Sequence, residues 1–168
     1  MTSELTIEPL TPFIGAEITG VDLREVTQEQ VAGIRAALLK HQVDFFRDQT
    51  LNQEEPIHFA RQFGELEIHP ATPRDQDNPE VLHIAHGPDS KGRENSWHSD
   101  VTWREKPSLG SILKAVEVPA VGGDTLFANM SEAYERLPDT LKEKIAGKTA
   151  VHDIARVFAG RLNKTADQ

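Results

Sequence analysis

At 168 residues the chain is long enough to bury one sizeable hydrophobic core. Its formal net charge of −9 leaves no basic stripe for a phosphate backbone, which sets nucleic-acid binding aside. There is no cysteine, so disulfides, thiolate metal sites and a thiol nucleophile are excluded and His and carboxylates remain as metal ligands.

In chain order, 5–8 and 16–19 read as short strands around a turn containing Pro and Gly. Met1-Thr2-Ser3-Glu4-Leu5 carries no charged-then-apolar signal, and no apolar run nears the ~20 residues that cross a bilayer, so a cytoplasmic protein without a membrane partner is expected. Thr27 and Gln30 form a capping box opening a helix whose apolar stripe is Val31, Ile34 and Leu38. A strand at 43–46 follows. Asn52 and Glu55 make a second box, for a helix with Ile57, Ala60 and Phe63 on one face and Gly64 as its stop. His58 and Arg61 on that helix are expected in solvent. From 65 to 95 the chain is rich in Pro, Asp and Asn, with a strand-like island at 81–85; His83 and His86 would fall on opposite faces of it and make no ligand pair.

Trp97-His98-Ser99-Asp100-Val101-Thr102 carries the chemistry. On a strand, residues i and i+2 share a face roughly 6–7 Å apart, so His98 and Asp100 would project together. An imidazole and a carboxylate side by side are two thirds of the facial triad that holds Fe(II) with open coordination positions. The apolar run 109–118 reads as a long strand, 119–124 as a Gly-Gly turn, and 125–129 as a further strand. Ser131 caps a helix through Tyr134 and Leu137, a second lies between Pro138 and Gly147, and 149–152 reads as a strand.

Taken together, Trp97-His98-Ser99-Asp100-Val101-Thr102, the strand after it, Gly122-Gly123-Asp124-Thr125-Leu126, Phe46-Arg47-Asp48-Gln49 and Phe63-Gly64-Glu65-Leu66 resemble the first half of the TauD/TfdA family of Fe(II)- and 2-oxoglutarate-dependent dioxygenases. The resemblance implies an α+β fold with a double-stranded β-helix (jelly-roll) core and flanking helices, of which 1–168 would be the N-terminal portion. His98 and Asp100 would be metal ligands and catalytic residues. Thr125 would help bind the far carboxylate of 2-oxoglutarate, with O2 as the other co-substrate. A small anionic substrate such as taurine or another alkylsulfonate would meet His69, which resembles the histidine that reaches the anionic head, together with Asn95 and an apolar wall of Val101 and Phe158. The family's substrate-contacting amide aligns nearer Glu94, a departure from taurine-oxidising members. Oxidation would release succinate and CO2, and sulfite from a sulfonate.

In the family a second histidine and a 2-oxoglutarate-binding arginine fall beyond the position of Gln168. His152 matches a different family position and is not expected to replace the distal ligand. The fold is therefore expected to be incomplete at its C-terminus, and an incomplete sheet favours self-association into a homo-oligomer. Two other readings stay open at this point. One is an inactive truncated remnant that keeps the motif. The other is a zinc-dependent hydrolase using His98 and Asp100, which would work without O2 or 2-oxoglutarate.

Overall fold

The computed structural model describes residues 4–68, 77–87 and 96–153. Their elements are β1 (Thr6–Pro9), β2 (Ala16–Thr19), α1 (Gln28–His41), β3 (Asp44–Phe45), α2 (Glu55–Arg61), α3 (Met130–Glu135) and α4 (Asp139–Ile145). Among them no helix is long and apolar enough to cross a membrane. Chain contacts define two compact units, Met1–Leu82 with Ile112–Lys142, and His83–Ser111 with Glu143–Gln168.

The first unit holds the sheet, in the order β1-β2-β3. β1 and β2 pair antiparallel, Thr6 opposite Thr19 through Pro9 opposite Ala16. β2 and β3 pair parallel, Ala16 opposite Asp44 and Glu17 opposite Phe45. A parallel pair cannot be joined by a tight turn, so a helix must cross between its strands, and α1 does so. The Thr27–Gln30 box opens α1 as expected: Thr27 Oγ1 accepts from the Gln30 N–H at 3.2 Å, and Gln30 Oε1 accepts from the Thr27 N–H at 3.0 Å. The buried face of α1 is Gln30, Val31, Ile34 and Ala37, while Leu38 is half-buried at its margin.

Ile18, at 1% exposure, lies at the centre of a core with Leu23, Ile34, Ala37 and Phe59. Phe59 meets Phe46 and Phe63 edge to face, at centroid separations of 5.9 and 5.2 Å. Periodicity pointed to the 57, 60 and 63 face of α2, yet Phe59 is the residue that fills the core. The bonds of the second box form as well, although Glu54 rather than Asn52 holds the N-cap position of the helix and its side chain makes no capping bond. Asn52 Oδ1 accepts from the N–H groups of Glu54 and Glu55 at 2.8 and 3.0 Å, and Glu55 Oε2 accepts from the Asn52 N–H at 2.6 Å. His58 is exposed as expected, and Arg61 joins Glu80 at 3.2 Å on the surface.

The Phe46-Arg47-Asp48-Gln49 stretch has a structural role. Gln49 Oε1 accepts from the Leu23 N–H at 3.0 Å while its amide donates to the carbonyls of Val21 and Arg47. Arg47 pairs with Glu17 of β2 at 2.9 Å. The motif therefore fastens the loop after β2 to the exit of β3. Gly122 and Gly123 take successive left-handed conformations, φ 80 and 76, and a Cβ on Gly123 would come within 3.2 Å of the Pro119 ring.

Several expected elements differ. No strand forms at 81–85, 97–102, 109–118, 125–129 or 149–152. Apolar alternation marks faces, but a strand exists through a neighbouring strand's hydrogen bonds, and the three-stranded sheet of the described residues does not include these segments. Ile112 and its neighbour Leu113, which a strand would place on opposite faces, are 49% and 70% exposed. The cap of α3 is Asn129 rather than Ser131: its side chain accepts from the Glu132 N–H at 2.9 Å and donates to the Phe13 carbonyl at 2.6 Å. A residue with both a free acceptor and a donor can cap the helix and tie it to the loop before β2.

Two outcomes follow for the first unit. Ile18→Ala should lower unfolding free energy by about 2–5 kcal/mol in urea, the range for emptying a well-packed aliphatic site. Among the described residues neither carboxyl oxygen of Asp44 on β3 has a hydrogen-bond partner, and burial pushes its pKa from 3.8 up to about 6. The folded chain thus holds this proton more tightly than the unfolded one, and stability contributed by Asp44 is lost as pH rises from about 4 through about 6. Urea midpoints of Asp44→Asn should exceed wild type at pH 7 and converge with it near pH 4.

Candidate metal centre

His98 and Asp100 come together, though by a different route from the strand expected. The chain enters a turn at Asp100, closed by the Arg104 N–H donating to the Val101 carbonyl at 3.1 Å. Val101 takes φ 48, a left-handed conformation. For a β-branched residue this is strained, worth of order 1–3 kcal/mol, and such strain gathers where a site is held in a particular shape. Its side chain is 7% exposed, so burial helps to hold it there.

Just ahead of the turn, His98 Nε2 lies 3.4 Å from Asp100 Oδ1. The other ring nitrogen, Nδ1, lies 2.9 Å from the Ser96 carbonyl, which can only accept. Nδ1 therefore carries a proton, and Nε2 is the ring nitrogen left to take a metal ion lying between it and the carboxylate. A metal-binding imidazole is oriented in this way by an outer hydrogen bond. Asp100 Oδ2 is approached by the Ser111 hydroxyl at 3.4 Å, a long and weak contact. For donors about 2.1 Å from one ion, separations of ~3.0 to ~3.4 Å subtend right to tetrahedral angles, so the pair can share an ion. A nitrogen and a carboxylate oxygen are also a donor set that suits Fe(II). Both side chains are open to solvent, at 59% and 65% exposure, which leaves room for further ligands.

Among the described residues no group of three His, Asp or Glu side chains assembles, so the pair stands without a third protein ligand there. His152 goes elsewhere, with Nδ1 2.8 Å from the Thr102 hydroxyl. Thr125 is exposed in the first unit, just past the Gly-Gly turn. His69, Asn95 and Phe158 lie outside the described residues. Sequence reasoning missed the Ser96 carbonyl and the left-handed Val101; a backbone acceptor and a backbone angle leave no side-chain signal to read.

Residues 6–168 match the family described as "Taurine catabolism dioxygenase TauD, TfdA family". The chain belongs to that family. Its relatives include the Alpha-ketoglutarate-dependent sulfate ester dioxygenase of Pseudomonas putida, 42% identical over 151 residues, covering 89% of this chain and 50% of that protein. The Alkylsulfatase of Acinetobacter baylyi is 40% identical over 162 residues, covering 95% and 50%. A crystal structure of a taurine dioxygenase from Burkholderia xenovorans superposes with a TM-score of 0.74 at 40% identity, covering 85% of this chain and 51% of that one. This TauD/TfdA chain thus spans about half the length of the curated relatives it matches.

The geometry of the pair can be checked without metal. In long-range nitrogen–proton NMR spectra, at a pH where the ring is neutral, His98 should show the tautomer protonated on Nδ1. Protonation on Nε2 would contradict the hydrogen bond to Ser96.

Proposed function

We propose that this chain supplies His98 and Asp100 to the Fe(II) centre of a 2-oxoglutarate-dependent dioxygenase that hydroxylates a small anionic substrate, an alkyl sulfate ester or an alkylsulfonate. The observation that carries the reading is the 3.4 Å approach of His98 Nε2 to Asp100 Oδ1, with Nδ1 already engaged, in a chain of this family. The relatives support the substrate class, since two of them are named for alkyl sulfates or sulfate esters and one for taurine. The third ligand of the triad comes from outside the described residues, and the jelly-roll core of the family is the fold in which we place the site.

Bound Fe(II), with 2-oxoglutarate and O2, supplies the oxidising power that turns a substrate C–H into C–OH while the keto acid becomes succinate and CO2. The chain's residues orient and shield. His98 gives a neutral nitrogen donor and Asp100 one negative charge, so the pair neutralises half of a divalent cation. The Thr125 hydroxyl donates to the far carboxylate of 2-oxoglutarate. His69 and Asn95 donate to the sulfate or sulfonate oxygens, and Val101 with Phe158 lines the wall beside the oxidised carbon and excludes water there. A carbon that gains a hydroxyl while bearing a sulfate-ester oxygen or a sulfonate sulfur collapses to a carbonyl and releases sulfate or sulfite. The alternative, an inactive remnant, would follow if no further ligand joined the pair, because two ligands hold a divalent ion weakly.

Anaerobic titration with Fe(II) and 2-oxoglutarate separates the readings. A weak visible charge-transfer band is expected, with loss of at least about tenfold in affinity in His98→Ala and in Asp100→Ala. With O2 admitted, succinate should form in step with consumption of an alkyl sulfate or alkylsulfonate, taurine and an aryloxy acid being compared in the same assay. No band and no turnover would leave the remnant; hydrolysis without O2 or 2-oxoglutarate would support a zinc hydrolase.

A further inference from the structure

Each oxygen of Asp100 faces a different group. Oδ1 lies 3.4 Å from His98 Nε2, and Oδ2 accepts from the Ser111 hydroxyl at 3.4 Å. Ser111 is 11 residues further along the chain and belongs to the same compact unit. An Asp side chain by itself leaves the plane of its two oxygens loose, because rotation about the Cβ–Cγ bond is governed by broad, two-fold wells. Packing adds little here, since the side chain is 65% exposed. The imidazole beside it is held through its other nitrogen, Nδ1, which lies 2.9 Å from the Ser96 carbonyl. Ser96, His98, Asp100 and Ser111 therefore form a row: the gap between Nε2 and Oδ1 is at its middle, and an outer partner engages each ligand through the atom that does not face the gap.

We propose that Ser111 is the positioning residue of Asp100: its hydroxyl holds Oδ2 and so sets the carboxylate plane that turns Oδ1 toward His98. Carboxylates that bind metals are themselves hydrogen-bonded by an outer partner, as metal-binding imidazoles are. A bond made before the ion arrives removes rotational freedom that the ion would otherwise have to remove, and that raises affinity. Ser111 acts on the carboxylate directly, and through it on the ion. Its bond is long for O–H···O, whose usual range is about 2.5–3.0 Å, so the effect belongs at the modest end of what an outer partner contributes. The inference deepens the metal-centre reading and rests on it for the effect on an ion, while the Ser111–Asp100 bond is a property of the metal-free chain.

The test uses the full chain with Ser111→Ala, which removes the hydroxyl, and Ser111→Thr, which keeps it. Three quantities are read: the three-bond couplings that report the Asp100 side-chain rotamer in the metal-free chain, the Co(II) dissociation constant from visible absorption, and the urea midpoint. In wild type the couplings should report one dominant rotamer, and in Ser111→Ala they should move toward rotamer-averaged values. Co(II) binding should weaken about three- to tenfold in Ser111→Ala, the size one hydrogen bond supports. Ser111 is exposed, so the urea midpoint should hold, and Ser111→Thr should match wild type in all three. Unchanged couplings in Ser111→Ala, or averaged couplings with unchanged Co(II) affinity, would overturn the proposal. So would a loss of the same size in Ser111→Thr, or a fall in the urea midpoint of Ser111→Ala, which would make the role structural. If wild type binds no cobalt the metal-centre reading fails, and the couplings alone then decide whether Ser111 sets the carboxylate.

Discussion

The parallel pairing of β2 with β3 is the constraint on which the first unit depends. Two strands running the same way leave the end of one far from the start of the next, and the connection must cross the sheet. Residues 20–43 make that crossing with α1, which places Ile34 and Ala37 over Ile18. Once the helix is there, Phe46 leaving β3 meets Phe59 of α2, and the core closes around Ile18. Gln49 and Arg47 then fasten the crossing at its ends, through Leu23 and Val21 on one side and Glu17 on the other. What looks in the sequence like a polar stretch after an apolar pair is the clasp of this unit.

The metal motif is shaped by other forces. No ladder forms at His98 and Asp100 among the described residues; the pair stands just ahead of a turn whose Val101 is left-handed, and the Ser96 carbonyl engages the imidazole's Nδ1. The design has an evident weakness, because a turn relaxes more readily than a paired strand. Burial of Val101, the Arg104 hydrogen bond and the distant His152 contact act against that relaxation.

The segments at 109–118 and 125–129 carry as much apolar character as the core, yet Val116, Val118 and Leu126 are 88%, 71% and 71% exposed. Surface of this kind is covered in a stable fold. Individual anchors are nonetheless in place. Lys114 Nζ donates to the Leu51 and Asn52 carbonyls, and Phe127 meets Phe45 edge to face at 6.3 Å. These contacts fix where the segments run in the first unit without giving them strand partners.

The sequence by itself determined whatever is local. Both capping boxes, the three short strands 6–9, 16–19 and 44–45, and all four helices were readable, since caps and turns act over three or four residues and leave side-chain signatures. The His98–Asp100 pairing was readable too, because spacing brings it about by either geometry. Tertiary structure decided the rest. Whether an alternating apolar segment becomes a strand depends on a partner that the segment does not encode, as 109–118 shows. That Phe59 rather than Ala60 fills the core, that Asn129 rather than Ser131 caps α3, and that Thr102 meets His152 were settled by packing between residues far apart in sequence. The physical reason is common to them all: a side chain's period fixes its direction relative to its own backbone, while its partner is fixed by how the backbones pack.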